Sequence, residues 1–231
     1  MVHIGGLQKV SMIDYPGKLS TVVFLNGCNF HCPYCHNPEL AAGAAAERIT
    51  EEDVLSYLDA RRDFLEGIVI SGGEPTLQPD LPDFCRALKT CGYAVKLDTN
   101  GSFPEMLQTL IQDRLIDFIA MDVKTDPDCY APAFCALDPA AAIKASIALI
   151  MNSGLPYEFR TTCFRPLVST RTMERIASSI KGAKAYAIQK FYAKKTLDPD
   201  AGSTRDHFFD DNELWHLKAI AEPMIEYCFV R

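Results

Sequence analysis

The sequence is short of positive charge. Its 23 lysines and arginines are outnumbered by 30 aspartates and glutamates, which leaves a net charge of −7. A protein that grips nucleic acid along its backbone is usually basic, so no nucleic-acid partner is expected. The tight basic pairs, Arg61-Arg62 and Lys194-Lys195, read as solvated faces. Long apolar runs are missing too. No stretch approaches the ~18–20 apolar residues that a membrane-spanning helix needs, so no membrane partner is expected. The opening MVHIGGLQKVSM lacks the charged segment and apolar segment of a secretory leader, and a cytoplasmic location is expected. Thiols stay reduced there. The nine cysteines, an odd number, then read as ligands and buried free thiols rather than as a disulfide framework.

No low-complexity tract and no linker rich in Pro, Gly or Ser divides the 231 residues. One domain over 1–231 is expected, with a core over about 18–192 and a C-terminal extension over 193–231. A chain this long buries roughly 70–75% of its unfolded surface and needs no disulfides to stand up.

What is present is an alternation of strand and helix. β-rich runs fall at Ser20–Asn26, Gly67–Ser71, Tyr93–Asp98, Asp117–Asp122, Tyr157–Thr162 and Tyr186–Phe191. TVVFL and GIVIS are nearly all apolar or β-branched, as in parallel strands covered on both faces. Helices are predicted over 50–64, 79–90, 102–113, 138–152 and 170–181. Thr50 with Asp53, and Ser102 with Glu105, have the spacing of N-terminal caps. Cys91-Gly92 stops the second helix. Six βα units imply parallel strands with right-handed crossovers, in an open doubly wound sheet or a partial barrel. Beyond them, TLDPDAGSTRDHF reads as loop, 211–222 as helix and IEYCFV as a short strand.

The unusual residues fall at the carboxyl ends of these strands, where parallel βα proteins carry function. Gly27, Cys28, Cys32 and Cys35 follow the first strand, and Gly72-Gly73-Glu74-Pro75 the second. Asp98-Thr99-Asn100-Gly101 ends the third, and Met121-Asp122-Val123-Lys124 the fourth. Arg160 lies on the fifth, and Gln189, to which no role is assigned, ends the sixth. These residues are expected to share one rim.

In GCNFHCPYCHN the cysteines are spaced C-x3-C-x2-C. A structural zinc ribbon normally uses two separated pairs, and His31 or His36 completes a zinc site here only if the chain folds back sharply. The cysteines at 85, 91, 129, 135, 163 and 228 form no C-x2-C pair and read as buried small hydrophobes. A cubane iron–sulfur cluster usually takes four cysteines. Three leave one iron with an open position, the mark of a metal site that binds a substrate.

This motif after a first strand, with Tyr34 before the last cysteine, resembles that of the radical S-adenosylmethionine (SAM) superfamily, and SGGEP resembles its second motif. CPYCHN, DTNG and MDVK resemble the glycyl-radical-enzyme activases, and SMIDYPGKLSTVVFLNGCNFHCPYCHN the anaerobic ribonucleoside-triphosphate reductase activating proteins. The resemblance runs from about residue 7 to 191. It implies an α/β fold, a partial (β/α)6 TIM-like barrel, which agrees with the six units. It implies one [4Fe-4S] cluster on Cys28, Cys32 and Cys35, with SAM chelating the open iron through its amino and carboxylate groups. An electron from the reduced cluster then breaks the C5′–S bond. The products are methionine and a 5′-deoxyadenosyl radical, which takes hydrogen from a glycine α-carbon of a partner enzyme. The expected partner is a glycyl radical enzyme, anaerobic ribonucleotide reductase first and the formate-lyase type second. Flavodoxin or ferredoxin is the expected electron donor.

Several residues carry two readings. Gly72 and Gly73 let a ligand's amino group approach bare backbone, or only shape a turn. Glu74, extended before Pro75, can receive an ammonium group. Asp98 and Asp122 are an acid–base pair, polar strand ends or, as the resemblance implies, holders of a monovalent cation beside the SAM carboxylate. Lys124 shares a side of the extended chain with Asp122 and makes a salt bridge or meets SAM. Asn100 touches the cofactor or shapes the turn with Gly101. Arg160 needs a partner, a ribose or a carboxylate. The resemblance places Tyr34 against the adenine and His36 near it; a hydrogen-bonded loop histidine is the plainer reading of His36. Two rivals remain: a small-molecule radical SAM enzyme of the 7-carboxy-7-deazaguanine synthase type, and a non-enzymatic iron–sulfur or zinc module with saturated ligands.

Overall fold

Both faces of two apolar runs are covered, as in strands that lie inside a sheet rather than at its edge. The computed structural model describes residues 1–44, 49–131, 133–135, 138–192 and 196–231; the Lys194-Lys195 pair lies outside the described residues. The strands are β1 Ile4–Ser11, β2 Ser20–Leu25, β3 Gly67–Gly72, β4 Ala94–Thr99, β5 Phe118–Asp122, β6 Tyr157–Cys163, β7 Tyr186–Lys190 and β8 Cys228–Val230. Within each compact unit, strands neighbour one another in chain order. The helices are α1 Pro38–Ala41, α2 Glu51–Asp59, α3 Leu81–Thr90, α4 Pro104–Gln112, α5 Ala140–Asn152, α6 Thr170–Ser179, α7 Pro199–Ser203 and α8 Asp211–Ala221. Among the described residues, no helix is long and apolar enough to cross a membrane.

The chain forms two compact units. The first comprises Met1–Asn29, Glu39–Thr99 and Glu105–Ile119. In it β2, β3 and β4 run parallel, in register from Ser20↔Gly67 to Leu25↔Gly72. Val22, Val23, Ile68, Val69 and Ile70 are all buried, which is why these strands are continuous apolar runs. Strand β1 was not expected. It pairs antiparallel with β2, and its Gly5-Gly6 and exposed Gln8, Lys9 and Val10 give it no apolar pattern. An exposed edge strand carrying a lysine looks like this. Helix α2 starts as predicted: the Asp53 N–H donates to the Thr50 hydroxyl at 3.1 Å, and the Thr50 N–H donates to the Asp53 carboxylate at 2.8 Å. It ends at Asp59 rather than at 64. Helix α3 buries Leu81, Phe84, Cys85 and Leu88 on one stripe.

The second unit comprises Phe30–Pro38, Asn100–Pro104 and Ala120–Arg231. Strands β6, β7 and β8 run parallel, so the chain beyond 193 adds a strand, pairing Tyr186↔Cys228 to Ile188↔Val230. Helix α8 buries Leu214, Leu217 and Ala221. The stretch read as loop contains α7, because Asp198 accepts from the Asp200 N–H and Pro199 suits a first helical position. Ser102, expected to cap α4 directly, lies two residues before its first residue, and its hydroxyl donates to Asn100 Oδ1 at 2.6 Å.

Candidate functional site

In the first unit, backbone is pressed against backbone where β2 and β3 end. Gly72 has φ +118°, and a Cβ there would lie 2.4 Å from Leu25 N and O. A Cβ on Gly73 would lie 2.0 Å from the Gly27 carbonyl oxygen. The Gly73 N–H donates to Leu25 O at 2.9 Å, and the Glu74 N–H to Gly27 O at 2.8 Å. The pair is therefore required by packing, Gly72 against Leu25 and Gly73 against Gly27, the residue that precedes Cys28. Gly27 and Cys28 in turn donate to the carbonyls of Leu40 and Ala41, at 2.7 and 3.1 Å, so α1 fixes the first cysteine's backbone.

Glu74 is extended before Pro75, as expected. Its carboxylate is buried and tied locally. Oε1 accepts from the Thr76 N–H at 3.1 Å, from the Thr76 hydroxyl and from the Thr99 hydroxyl at 2.7 Å. Asp98 accepts from the Lys96 ammonium on Oδ1 and from the Ser71 hydroxyl at 3.3 Å on Oδ2. Sequence alone singles out neither Thr76 nor Lys96, and it places Thr99 on the rim without a role. For Lys96 the signal existed, since it precedes Asp98 by two positions on one strand face.

In the second unit, the loop of Cys32, Tyr34, Cys35 and His36 is held by the chain on both sides. The His31 N–H donates to Phe134 O at 2.8 Å; the Leu197 and Asp198 N–H groups donate to Cys35 O and Pro33 O at 3.1 and 3.0 Å. The C-terminal extension thus supports the cysteine loop. Tyr34 packs against Phe164 and Phe191, ring centroids 5.4 and 6.3 Å away, and the exposed His36 stacks on Phe191 at 5.9 Å. The Tyr34 hydroxyl is buried and has no hydrogen-bond partner among the described residues.

Asp122 is the hub of this unit's charges. Arg160 Nε donates to its Oδ1 at 2.7 Å, and Lys124 Nζ to its Oδ2 at 3.3 Å. Arg160 has thus found a carboxylate within the chain. Burial pushes the Asp122 carboxyl up, but Arg160 and Lys124 override it and hold the pKa at about 2. Burial likewise opposes charge on Lys124, yet Cys32 and Asp122 beside it raise its pKa well above the ordinary lysine value. The Lys124 N–H donates to the Tyr130 hydroxyl at 2.8 Å, a contact not read from sequence. Asn100 Oδ1 accepts from the Ser102 N–H at 2.9 Å as well as from its hydroxyl, so it does shape the turn.

By donor chemistry three thiols suit an iron–sulfur cluster, while among the described residues no group of three or more His, Cys, Asp or Glu side chains is placed to hold a metal ion. Cys28, Cys32 and Cys35 lie outside any disulfide, Cys32 buried and the others partly exposed, and thiolates are the ligands such clusters take. Lys124 places positive charge near Cys32, where an anionic sulfur is needed. A monovalent cation fits less well, because each aspartate expected to hold it already pairs with side-chain ammonium or guanidinium groups. Among the remaining cysteines, Cys85, Cys163 and Cys228 are buried as expected. Cys91 and Cys135 are partly exposed and Cys129 is exposed, because they lie at the end of α3, in an irregular loop and at the end of a short 3-10 turn rather than in the core.

The Radical SAM superfamily model matches residues 22–181. The chain belongs to this superfamily, whose members work with a [4Fe-4S] cluster and SAM. Within it the chain belongs to the glycyl-radical-enzyme activating family. It is 36% identical over 233 aligned residues, 99% of this chain and 95% of the other, to a Methanocaldococcus jannaschii protein named by inference as a glycyl-radical enzyme activating enzyme. It is 32% identical over 140 residues to the pyruvate formate-lyase-activating enzyme of Clostridium pasteurianum, covering 56% of each chain. A radical SAM methyltransferase from Sphaerobacter thermophilus shares the fold with a TM-score of 0.72 at 15% identity, over 94% of this chain and 67% of that one. Streptococcus suis SuiB, solved with S-adenosylmethionine, does so with a TM-score of 0.64 at 13% identity, over 89% and 48%. The fold is the radical SAM type expected from the sequence.

Proposed function

We propose that this protein is an activase that installs a glycyl radical on anaerobic ribonucleoside-triphosphate reductase. The observation that carries an activating role is the relative aligned over the whole chain and named for it. The reductase as partner rests on the opening segment from Ser11 to Asn37. A formate-lyase-type partner is the second reading, supported by the half-length match to those activating enzymes.

Cys28, Cys32 and Cys35 would hold the cluster, and Gly72, Gly73 and Glu74 would offer backbone to the amino group of SAM. When bound, the cluster supplies the electron that splits SAM to methionine and the adenosyl radical that takes the glycine hydrogen. Asn100, Asp122, Lys124 and Arg160 are assigned to the cofactor, with Asp98 from β4. The Asp122 ion pairs hold Arg160 and Lys124 in place, and these two cations would meet an anionic ligand group. The aromatic side chains around Tyr34 would exclude water from a reactive radical, with His36 at their edge. The chain would work as one domain in the cytoplasm, with flavodoxin or ferredoxin as donor.

The test is anaerobic. The reconstituted, reduced protein is mixed with SAM and an anaerobic ribonucleotide reductase, and EPR spectra and 5′-deoxyadenosine are recorded together. A glycyl doublet that disappears when the partner's glycine is replaced supports the proposal. Deoxyadenosine without the doublet rejects that partner and leaves a formate-lyase-type partner or a small molecule. Neither signal, with an intact reduced cluster, overturns the activase reading.

A further inference from the structure

We propose that Lys96 supplies, as a fixed part of the chain, the positive charge for which Asp98 would otherwise take up a monovalent cation. The inference rests on the proposed cofactor site, to which Asp98 is assigned. Lys96 is the third residue of β4 and is 2% exposed. Its Cα partner on β3 is the fully buried Val69, and its ammonium lies 6.0 Å from the Phe118 ring centroid. An ammonium this deep needs an anion, and Asp98, itself 14% exposed, provides it.

The ammonium occupies one oxygen of Asp98 and the Ser71 hydroxyl the other. A sodium or potassium ion joining them would sit beside a like charge in a poorly screened site. In the other unit Asp122 is paired as fully, with Arg160 and Lys124. A cation held only by two carboxylates and a ligand can dissociate; a lysine on a central strand cannot. Lys96 is a positioning residue, and its consequence is a cofactor site whose affinity does not depend on the salt's cation.

The test is SAM affinity of the reconstituted protein, by anaerobic equilibrium dialysis in potassium, sodium and tetramethylammonium chlorides at equal ionic strength. The expected dissociation constants agree within about twofold. Weakening of about tenfold in tetramethylammonium, too bulky for such a site, overturns the proposal. In Lys96→Met, potassium or sodium should restore an affinity that tetramethylammonium does not; a variant that binds as wild type does in all three salts also overturns it. Should that variant not fold, rubidium-soaked crystals of the wild type decide by anomalous diffraction. No rubidium at Asp98 supports the proposal and a peak there overturns it. Absence of SAM binding in every salt would instead sink the cofactor reading, and the rubidium map would still decide this one.

Discussion

Arg160 Nε meets Asp122 Oδ1 at 2.7 Å, joining the middle of β6 to the end of β5. Lys124, two residues on from Asp122, reaches the other oxygen at 3.3 Å. One carboxylate thus serves two cations that the proposed function needs oriented.

This pairing makes stability depend on acid. The Asp122 pKa falls from 3.8 to about 2 on folding, so its contribution is complete above pH 3.8 and is lost as pH falls through about 2. The shift corresponds to about 2 kcal/mol, less what solvent screens, since the side chain keeps 30% exposure. Asp122→Asn should flatten the pH profile of urea stability between about pH 4 and 2. It should also cost about 2–4 kcal/mol at neutral pH, because Arg160 and Lys124 lose the anion they share. Parallel profiles for variant and wild type would show that the pairing carries no stability.

Gly73 makes a second test, of packing. Its substitution by alanine drives a Cβ to 2.0 Å from a backbone oxygen, which no rotamer can relieve. At Gly92, with φ +88°, a Cβ meets nothing within 4 Å and only the backbone conformation is strained. Gly92→Ala should cost about 1 kcal/mol. Gly73→Ala should cost about 3 kcal/mol or more and lower the iron bound per chain, because Gly27 moves with Cys28. Equal urea midpoints for the two variants would contradict this.

The local features were legible. The reciprocal cap at Thr50 is written within four residues, and β2 and β3 are runs that only two-sided burial explains. Strand β1 was not, because an exposed antiparallel edge needs no apolar pattern of its own. The two-residue spacing that made Lys124 a partner of Asp122 also relates Lys96 to Asp98. A lysine within an apolar strand nevertheless reads as an interruption until Val69 and Phe118 are seen around it. The sequence demanded a partner for Arg160 without saying which, since that depends on how strands from distant segments align. Thr99 on Glu74 is hidden for the same reason, 25 positions away.

Tyr34 predicts an inverted effect. The residue is 5% exposed, and its hydroxyl has no hydrogen-bond partner among the described residues, so the protein without ligand bears an unsatisfied buried group. Tyr34→Phe should therefore raise stability of the SAM-free protein by about 1 kcal/mol, seen as a higher melting temperature. If SAM satisfies that hydroxyl, the same variant should bind SAM about five- to tenfold more weakly. A lower melting temperature without SAM would mean that the hydroxyl already has a partner.

The cysteines separate into three classes by reactivity. Burial pushes the Cys85 and Cys163 thiols up to about 12, so at pH 8 they remain protonated and unreactive in the folded chain. Cys129 is exposed and should be alkylated by iodoacetamide whether or not a cluster is present. Cys28 and Cys35 are partly exposed and should react in the cluster-free protein. After reconstitution all three cysteines of the motif should be protected together, because iron occupies the sulfur lone pairs that alkylation uses. Mass spectrometry of peptides from the two preparations reads this directly. Protection of the motif that persists after iron is chelated away would point to burial rather than ligation. Protection of Cys129 on reconstitution would enlarge the ligand set to four and close the iron position that SAM needs.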